Sequence, residues 1–214
     1  TDLPFRNVVS KFGVDMVFSE MIADNSLLSR PVKNQKIELG TSFSNTAVQL
    51  AGCEPAKMGE AAKIVSDLGA GAIDINMGCP AKKVVGGYSG SALMRDLKKA
   101  SAIVERVVNA VNVPVSLKAR LGWDDGSKNA KDLALLAEQC GVQLITIHAR
   151  TRNQFYKGFA DWNAILEVKK AVKIPVIANG DIVDISSASQ ALKVSETDGL
   201  MVIWWKMSAD VSLC

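Results

Sequence analysis

Short apolar runs and amphipathic stretches alternate along most of this chain. Nearly unbroken apolar runs predict strands, and apolar residues that recur every three or four positions predict helices. Strands are predicted at 16–22, 46–52, 72–77, 113–122, 144–150, 174–182 and 199–203. Helices are predicted at 1–13, 55–69, 96–111, 129–140, 161–172 and 185–195. Apolar strands that alternate with helices indicate a parallel sheet covered by helices, so the predicted fold class is α/β.

Two longer connections interrupt this alternation. A polar loop is predicted from Ala23 to Gly40, and a glycine-rich loop at 86–94. The alternation fits both a doubly wound sheet and a (β/α)8 TIM barrel. No GxGxxG fingerprint follows the first strand, and polar residues end one strand after another, so the barrel is favoured. A complete barrel needs eight strands and seven are readable, so we expect an incomplete one.

Composition sets broad limits on the protein. The 214 residues are 48% hydrophobic without a low-complexity segment, which predicts one sizeable core. The formal net charge of +3 permits an anionic partner but does not require one. No apolar run approaches the length that spans a bilayer, and the first residues do not resemble a signal peptide. We expect a soluble, cytoplasmic protein with no membrane partner.

The four cysteines give no sign of a metal site. They are widely separated and form neither a CxxC motif nor a Cys/His pair at ligand spacing: Cys53, Cys79, Cys140 and Cys214. We expect free thiols in a reducing compartment, and no bound metal.

Cys79 lies in the most informative stretch of the chain, AIDINMGCPAK at 72–82. A buried strand ends there in a loop that contains a glycine and a proline. Free cysteine is often only a small buried hydrophobe. Cys79 lies beyond the apolar run and directly before Pro80, however, at the end of the strand where α/β folds place their chemistry. Cys79 is therefore a candidate site residue.

Polar side chains mark the carboxyl ends of five successive strands. Each has an ordinary explanation as a satisfied core group or a solvated rim, but together they predict one site at the barrel mouth. Amides suit the edge of a heteroaromatic ring, a lysine stabilises an electron-rich ring, and loop amides receive a phosphate. The set therefore suits a large, planar, anionic cofactor, with a thiol able to donate a proton. It comprises Gln49; Asn76 and Cys79; Lys118 and Arg120; His148 and Arg150; and Asn179, Gly180 and Asp181.

Six segments in this order resemble the successive motifs of bacterial tRNA-dihydrouridine synthases, and the resemblance spans about residues 1–202. They are TDLPFR, DINMGCPAKKV, GSALM, LKARLGW, HARTRNQFYKGFADW and PVIANGDI. The resemblance implies a (β/α)8 barrel that binds FMN, followed by a helical C-terminal domain. It also implies reduction of the C5–C6 double bond of uridine in tRNA, with NADPH as the reductant.

The resemblance also implies roles for individual residues. It makes Cys79 the proton donor and places Asn76 beside it against the uracil. It assigns the flavin ring and ribityl chain to Gln49, Lys118 and His148, and the phosphate end to Asn179, Gly180 and Asp181. Weaker candidates for substrate or cofactor contacts are Arg120, Arg150, Arg152 and Gln154.

The chain departs from the family pattern at both ends. The family's first strand, which ends in Pro-Met-Ala-Gly, would precede Thr1, and the expected Gly-Arg pair after the last strand is replaced by WWKMSADVSLC. We therefore expect an incomplete FMN-binding barrel at 1–203 and a divergent tail at 204–214, without the helical domain. Open sheet edges and exposed Trp204 and Trp205 predict weak FMN binding, little or no synthase activity and a tendency to aggregate.

Two alternatives stay open. One is an inactive or poorly folded remnant of such an enzyme. The other is a different FMN barrel that acts on a free pyrimidine, which would share the polar strand ends but lack the HARTRNQFYKG stretch.

Overall fold

The structure is a computed structural model that describes residues 1–29 and 45–202. Its strands are β1 Val17–Phe18, β2 Ile22–Ala23, β3 Thr46–Ala51, β4 Ala72–Met77, β5 Val115–Arg120, β6 Leu144–His148, β7 Val176–Asn179 and β8 Gly199–Met201. Its α-helices are α1 Leu3–Val9, α2 Asp24–Ser29, α3 Pro55–Asp67, α4 Lys82–Gly86, α5 Leu97–Val108, α6 Ala130–Gln139, α7 Trp162–Lys169 and α8 Ile185–Ser195. Short 3₁₀ turns lie at Ser10–Phe12, Gly90–Arg95 and Asp125–Ser127.

All the strands pair in parallel, in the order β1-β3-β4-β5-β6-β7-β8. β2 also pairs with β3, so β1 and β2 share one position and the sheet has seven. Within residues 1–29 and 45–202, β1 and β8 are edges that do not pair with each other. The predicted α/β class and an incomplete barrel with a helix after most strands are therefore confirmed.

The helices cover one face of the sheet with a continuous apolar core. α3 has a proline in its first turn and buries Met58, Ala61, Ala62 and Val65. α5 is capped by the Asp96 carboxylate, which accepts a hydrogen bond from Lys99 N at 3.0 Å. The sheet contributes alternate residues such as Leu50, Ile75, Leu117 and Ile147. Each such side chain stabilises the fold by about 1.5–3 kcal/mol on burial. Because this face supplies the hydrophobic stabilisation, the opposite face of the sheet can carry polar groups.

The first predicted strand, 16–22, is wrong as one continuous element. Ser19 interrupts it: Ser19 N donates to Ala47 O, and Ser19 Oγ then accepts from Gln49 N at 3.0 Å. A side-chain oxygen thus replaces the backbone acceptor that a continuous strand would offer. The strand divides there into β1 and β2.

The two predicted loops contain more helix than expected. Residues Asp24–Ser29 form α2, while 30–40 of the predicted polar loop lie outside the described residues. In the predicted glycine-rich loop, the 3₁₀ turn Gly90–Arg95 is ordered by hydrogen bonds to Cys79 O. Residue 203 of the last predicted strand and the predicted tail at 204–214 also lie outside the described residues.

None of the helices in the described residues is long and apolar enough to cross a membrane.

Candidate active site

Polar side chains form three rows on the inner face of the sheet, opposite the helices. Directly paired residues on neighbouring parallel strands point to the same face. From the interior toward the carboxyl ends, the rows are Gln49–Asp74–Ser116, Asn76–Lys118–Thr146 and Arg120–His148–Asn179. All of these residues are buried except Gln49, which is half-buried. The predicted site residues on these strands therefore do converge on one surface.

A chain of hydrogen bonds connects the innermost row to the Cys79 loop. Asp74 accepts from Ser116 Oγ and from Gln49 Nε2, each at 2.6 Å. Because Gln49 gives its amide nitrogen to Asp74, its Oε1 faces Asn76 and accepts from Asn76 Nδ2 at 2.9 Å. Asn76 Oδ1 then accepts from the backbone nitrogens of Gly78 and Cys79, at 3.1 and 2.9 Å. Each partner thus orients the next.

Asp74 is the carboxylate at the start of this series of hydrogen bonds, and it is fully buried. Burial raises its pKa, while hydrogen bonds from Ser116 and Gln49 and the charge of Lys118 oppose that rise. Residues Asp74 and Ser116 were not predicted as site residues. A signal was present, because a carboxylate two positions before Asn76 in an apolar strand must point to the same face as Asn76.

Cys79 is held through its backbone on both sides. Its N–H donates to Asn76, and its carbonyl accepts from Ser91 N at 3.1 Å and Ser91 Oγ at 2.9 Å. Gly90 is required for this approach, because its φ is +60° and a Cβ there would lie 2.8 Å from Cys79 O. The thiol is free and half-buried. The loop therefore fixes the Cys79 backbone without using its sulfur.

Arg120 ties the Cys79 loop to the loop that follows β6. Its guanidinium donates to Gly78 O at 2.9 Å, Thr151 O at 3.0 Å and Phe155 O at 2.7 Å. With 2% of its surface exposed, it fastens two loops together from inside the protein. The observed role of Arg120 is therefore to hold these two loops together.

Lys118 is a buried cation with few partners. Its Nζ donates to Asn179 Oδ1 at 3.1 Å, and Asn179 Nδ2 donates to Met201 O at 2.8 Å. Burial lowers the pKa of Lys118 to about 8, partly offset by Asp74. An ammonium group has three donors, so a second anionic or polar group near Lys118 would be favourable.

His148 and Arg150 lie together after β6. His148 Nε2 is 3.5 Å from Arg150 Nη1, and burial together with the charges of Lys118, Arg120 and Arg150 lowers the pKa of His148 to about 2. The imidazole is therefore neutral at physiological pH. It can donate or accept one hydrogen bond without adding charge to an already cationic site.

Arg150 has its own acidic partner. Its Nη2 lies 2.7 Å from both carboxylate oxygens of Asp181 and donates to Gly158 O at 2.8 Å. Asp181 also accepts from Ala160 N at 2.7 Å. The observed contacts of Asp181 are therefore with Arg150 and the β6 loop, and its predicted contact with a phosphate stays a prediction.

Gly180 lies between these groups and a tryptophan. Its φ is +111°, and a Cβ there would lie 3.3 Å from two ring atoms of His148. Its carbonyl accepts from Trp162 Nε1 at 3.0 Å. A side chain at position 180 would crowd His148, so glycine keeps the backbone open beside the imidazole.

Gln154 and Arg152 lie outside the three rows. Gln154 Oε1 accepts from Thr151 N at 2.7 Å, so its observed role is to cap a turn of the β6 loop. Arg152 lies over the indole of Trp123, 4.6 Å from the ring centroid. Neither belongs to the interior rows, and their predicted substrate or cofactor contacts stay predictions. Among the described residues, no group of three His, Cys, Asp or Glu side chains is placed to hold a metal ion.

Comparison with known proteins identifies relatives over nearly the whole chain. A family model described as dihydrouridine synthase matches residues 1–203. A Rickettsia bellii protein named "Probable tRNA-dihydrouridine synthase" is 54% identical over 204 residues, covering 94% of this chain and 63% of its own length. The "tRNA-dihydrouridine synthase B" of Vibrio cholerae is 47% identical over 203 residues, covering 94% and 63%. The chain thus spans less than two thirds of these relatives.

Solved structures support the fold alone. N-acetylneuraminate lyase from Mycoplasma synoviae superimposes with a TM-score of 0.51 at 18% identity, covering 69% of this chain and 47% of that one.

Proposed function

The chain belongs to the dihydrouridine synthase family, and we propose that it carries the catalytic barrel of an FMN-dependent tRNA-dihydrouridine synthase. One observation carries the proposal most directly. The series of hydrogen bonds that leads from Asp74 to the Cys79 backbone lies beside Lys118. Lys118 is buried, and its side chain donates to Asn179. The proposed proton donor therefore lies in the loop that directly follows β4, and the proposed anion-stabilising cation lies on the neighbouring strand β5.

The residues fit a flavin phosphate on the grounds of charge and space. Among the described site residues on the inner surface, three are buried cations, Lys118, Arg120 and Arg150, and two are carboxylates, Asp74 and Asp181. This excess of positive charge suits an anionic, electron-rich ring system and a phosphate. Gly180 keeps the backbone open beside the neutral His148.

Several residues would hold FMN in this proposal. Lys118, Gln49 and His148 would contact the ring system and the ribityl chain, while Asn179, Gly180 and Asp181 would lie toward the phosphate, with Asp181 acting through Arg150. When bound and reduced by NADPH, FMN would supply a hydride to C6 of a uracil ring.

Cys79 would complete the reduction by donating its thiol proton to C5 of that ring. Arg120, which donates to Gly78 O at 2.9 Å, is the buried cation attached to the Cys79 loop. The half-buried thiol is accessible enough to recover a proton from solvent. Proton donation by a positioned group contributes roughly 10²–10⁴-fold to a rate.

The substrate would be a uridine within tRNA. A base in a folded RNA must leave its stack to reach a site inside a barrel mouth, and Asn76 would then lie beside the extruded uracil. We also propose that the protein acts in the cytoplasm. A reducing compartment keeps thiols free, and Cys53, Cys79 and Cys140 are all free in the structure.

Expression of residues 1–214 tests the proposal. The chain is incubated with excess FMN, separated from free flavin, and then given NADPH and an unmodified tRNA transcript. Because the described sheet has two open edges, we expect flavin absorbance with the protein at low occupancy and, correspondingly, a low yield of dihydrouridine detected by mass spectrometry.

Two controls define the outcome. Cys140→Ala removes a half-buried thiol far from the inner rows and should behave as the parent chain. Free uracil and orotate replace tRNA in a parallel reaction. Reduction of the free pyrimidine but not of tRNA would replace the proposal by the free-pyrimidine alternative, and absence of both flavin binding and product would contradict it.

A further inference from the structure

Two arginines lie over one tryptophan at the rim of the barrel mouth. The guanidinium carbon of Arg95 is 4.8 Å from the ring centroid of Trp123, and that of Arg152 is 4.6 Å from it. Arg152 also lies 5.0 Å from the ring of Phe155. We call Arg95, Trp123 and Arg152 the rim cluster. We propose that the rim cluster binds the phosphate backbone of RNA next to the site.

The location of the cluster favours a role at the mouth. Arg95, Trp123 and Arg152 belong to the loops that follow β4, β5 and β6, at the same end of the sheet as Cys79 and Arg120. An RNA whose base enters the mouth must pass its backbone over this rim. The inference therefore rests on the proposed function, which supplies RNA as the partner.

The two charges have spare hydrogen-bonding capacity. Among the described residues, neither Arg95 nor Arg152 forms an ion pair, and Arg95 makes no hydrogen bond. Arg152 Nη1 donates to Asn153 Oδ1 at 3.0 Å, whereas its Nε is buried and has no partner within the described residues. Guanidinium groups of this kind bind phosphate oxygens in pairs of hydrogen bonds.

The carboxylates closest in sequence are already engaged. Asp96 caps α5 through Lys99 N, Asp124 accepts from Ser127 Oγ at 2.7 Å, and Asp125 lies 3.7 Å from Lys128 Nζ. None of them forms an ion pair with the rim cluster in the described structure. An anion from outside the protein would therefore be a suitable partner for Arg95 and Arg152.

The loops that carry the cluster hold each other in place. Arg152 N donates to Gly122 O and Asn153 N donates to Trp123 O, each at 2.9 Å. Gly122 cannot be replaced without moving its neighbours, because a Cβ there would lie 2.2 Å from Ser127 O. The arginines therefore pack on a platform that is set by backbone contacts, which lowers the ordering cost of binding.

A second cation and aromatic pair favours RNA over a small phosphate. Lys99 Nζ lies 6.0 Å from the centroid of the Tyr88 ring, and Tyr88 is 73% exposed. Tyr88 and Arg95 belong to the same connection between β4 and α5, so this connection carries an exposed aromatic ring as well as a cation of the rim cluster. Surfaces that combine cations with exposed aromatic rings are typical of binding to single-stranded nucleic acid, where phosphates and bases are contacted together.

The test measures binding of an unmodified tRNA transcript to the 214-residue chain by fluorescence anisotropy over a range of salt concentrations. The variant is Arg95→Gln/Arg152→Gln. Each phosphate contact contributes about 0.7–0.9 to the slope of log affinity against log salt. We expect the slope to fall by roughly 1.4–1.8, and the affinity at 0.1 M salt to fall roughly 25- to 60-fold.

Lys170→Gln/Lys173→Gln is the matched control. It also removes two positive charges, here from exposed lysines in the loop before β7, at the opposite end of the sheet. It should change the affinity less than about threefold, since distant exposed charges are screened. Trp123→Leu keeps both charges but removes the aromatic ring that they pack on, so we expect roughly two- to fivefold weaker binding with an unchanged salt slope, as for the loss of an exposed cation–π contact. Circular dichroism and urea midpoints confirm that each variant is folded.

Three outcomes would overturn the inference. The double arginine variant could bind RNA as tightly as the lysine control, the parent chain could fail to bind RNA at low salt, or the arginine changes could weaken binding of NADPH instead of RNA. Dihydrouridine formation by the parent chain is measured separately. Product formation with equal RNA binding by both double variants would refute the rim cluster and leave the proposed function standing.

Discussion

Gln49 donates its side-chain amide to the buried Asp74 carboxylate over 2.6 Å, and this contact decides which way the amide faces. The oxygen of Gln49 is then turned toward Asn76, whose own oxygen receives the backbone N–H groups of Gly78 and Cys79. A carboxylate that touches neither the sulfur nor the mouth thus orders the loop that carries the thiol.

Replacing Asp74 should loosen the Cys79 loop. Asp74→Leu removes the acceptor, leaves Gln49 free to turn, and should raise deuterium exchange at Gly78 and Cys79 N–H roughly tenfold. Asp74→Asn keeps an oxygen for Gln49 and should exchange like the parent. The exchange rate of the peptide that contains residue 78 is measured by hydrogen–deuterium exchange, which needs no cofactor. Equal exchange rates in all three proteins would show that Asp74 does not order the loop.

Asp74 should also shape the pH dependence of stability. Burial raises its folded pKa above the unfolded value, so the folded chain binds the proton more tightly than the unfolded chain. Its contribution to the free energy of unfolding therefore falls as the pH rises from the unfolded to the folded pKa. Urea unfolding between pH 4 and 8 should show this decline in the parent chain and not in Asp74→Asn. If the stability of the parent chain and of Asp74→Asn declined equally with pH, the decline would belong to other titrating groups.

Loss of the Cys79 thiol should remove turnover but not the flavin. Cys79→Ala should slow dihydrouridine formation roughly 10²–10⁴-fold, since general acid catalysis contributes about that much. The backbone contacts of residue 79 do not involve its sulfur, so flavin absorbance per chain should be unchanged. Cys140→Ala serves as the matched control. An unchanged rate in Cys79→Ala would remove the thiol from the mechanism.

Lys118 should lower the stability of the fold while it contributes to FMN binding. Its folded pKa of about 8 lies below that of an exposed lysine, so the folded chain disfavours its charge. This penalty is fully present below pH 8 and disappears as the pH rises through the unfolded pKa near 10.4. Lys118→Met should therefore raise the free energy of unfolding at pH 7 by roughly 3 kcal/mol.

Flavin binding by the same variant should change in the opposite direction. FMN affinity of the parent chain should weaken as the pH rises above about 8, because Lys118 loses its charge, and Lys118→Met should bind weakly at every pH. Exposed Lys173→Met is the control for hydrophobic substitution. A less stable Lys118→Met protein that keeps FMN would contradict both halves of the prediction.

Breaking the Arg150–Asp181 pair should be far more costly than breaking a surface pair. Arg150 has a side chain only 6% exposed, and Asp181→Asn would leave that cation without its carboxylate. We expect a loss of about 1–3 kcal/mol in urea unfolding. Asparagine also tolerates the positive φ of residue 181, so the backbone is not the cause. Asp198→Asn, which breaks the more exposed pair with Lys169, should cost under about 1 kcal/mol. Equal losses would show that burial of Arg150 is unimportant.

The regular parts of the fold were predictable because they depend on local patterns. The strands from β3 to β8 and the helices α3, α5, α6, α7 and α8 follow from apolar periodicity that tertiary contacts did not override. The break in the first strand was not predictable, since it depends on Ser19 Oγ reaching Gln49, 30 positions away. α2 was missed because one and a half turns carry too little periodicity to identify.

The site was predictable as a set but not as a network. Polar residues at strand ends gave Gln49, Asn76 and Lys118, and strand register then brought them onto one surface. The direction of the hydrogen bonds from Asp74 to the Cys79 loop could not be predicted from the sequence, because it depends on the orientations of two side-chain amides, Gln49 and Asn76, in the folded protein. Arg152 was predicted as a weaker candidate for a substrate or cofactor contact, but its neighbours Arg95 and Trp123 were missed, because the three residues meet only through loops after three different strands.

The way in which residue 79 is held has a consequence for engineering. Within the described residues, the hydrogen bonds that position it are made by its N–H and C=O, through Asn76 and Ser91, while Gly90 makes room for the approach. The side chain of residue 79 can therefore be exchanged for another of similar size, such as a hydroxyl or a selenol, without rebuilding the loop. Under the proposed function, one substitution at position 79 would thus change the acidity of the proton donor while its backbone stays in place.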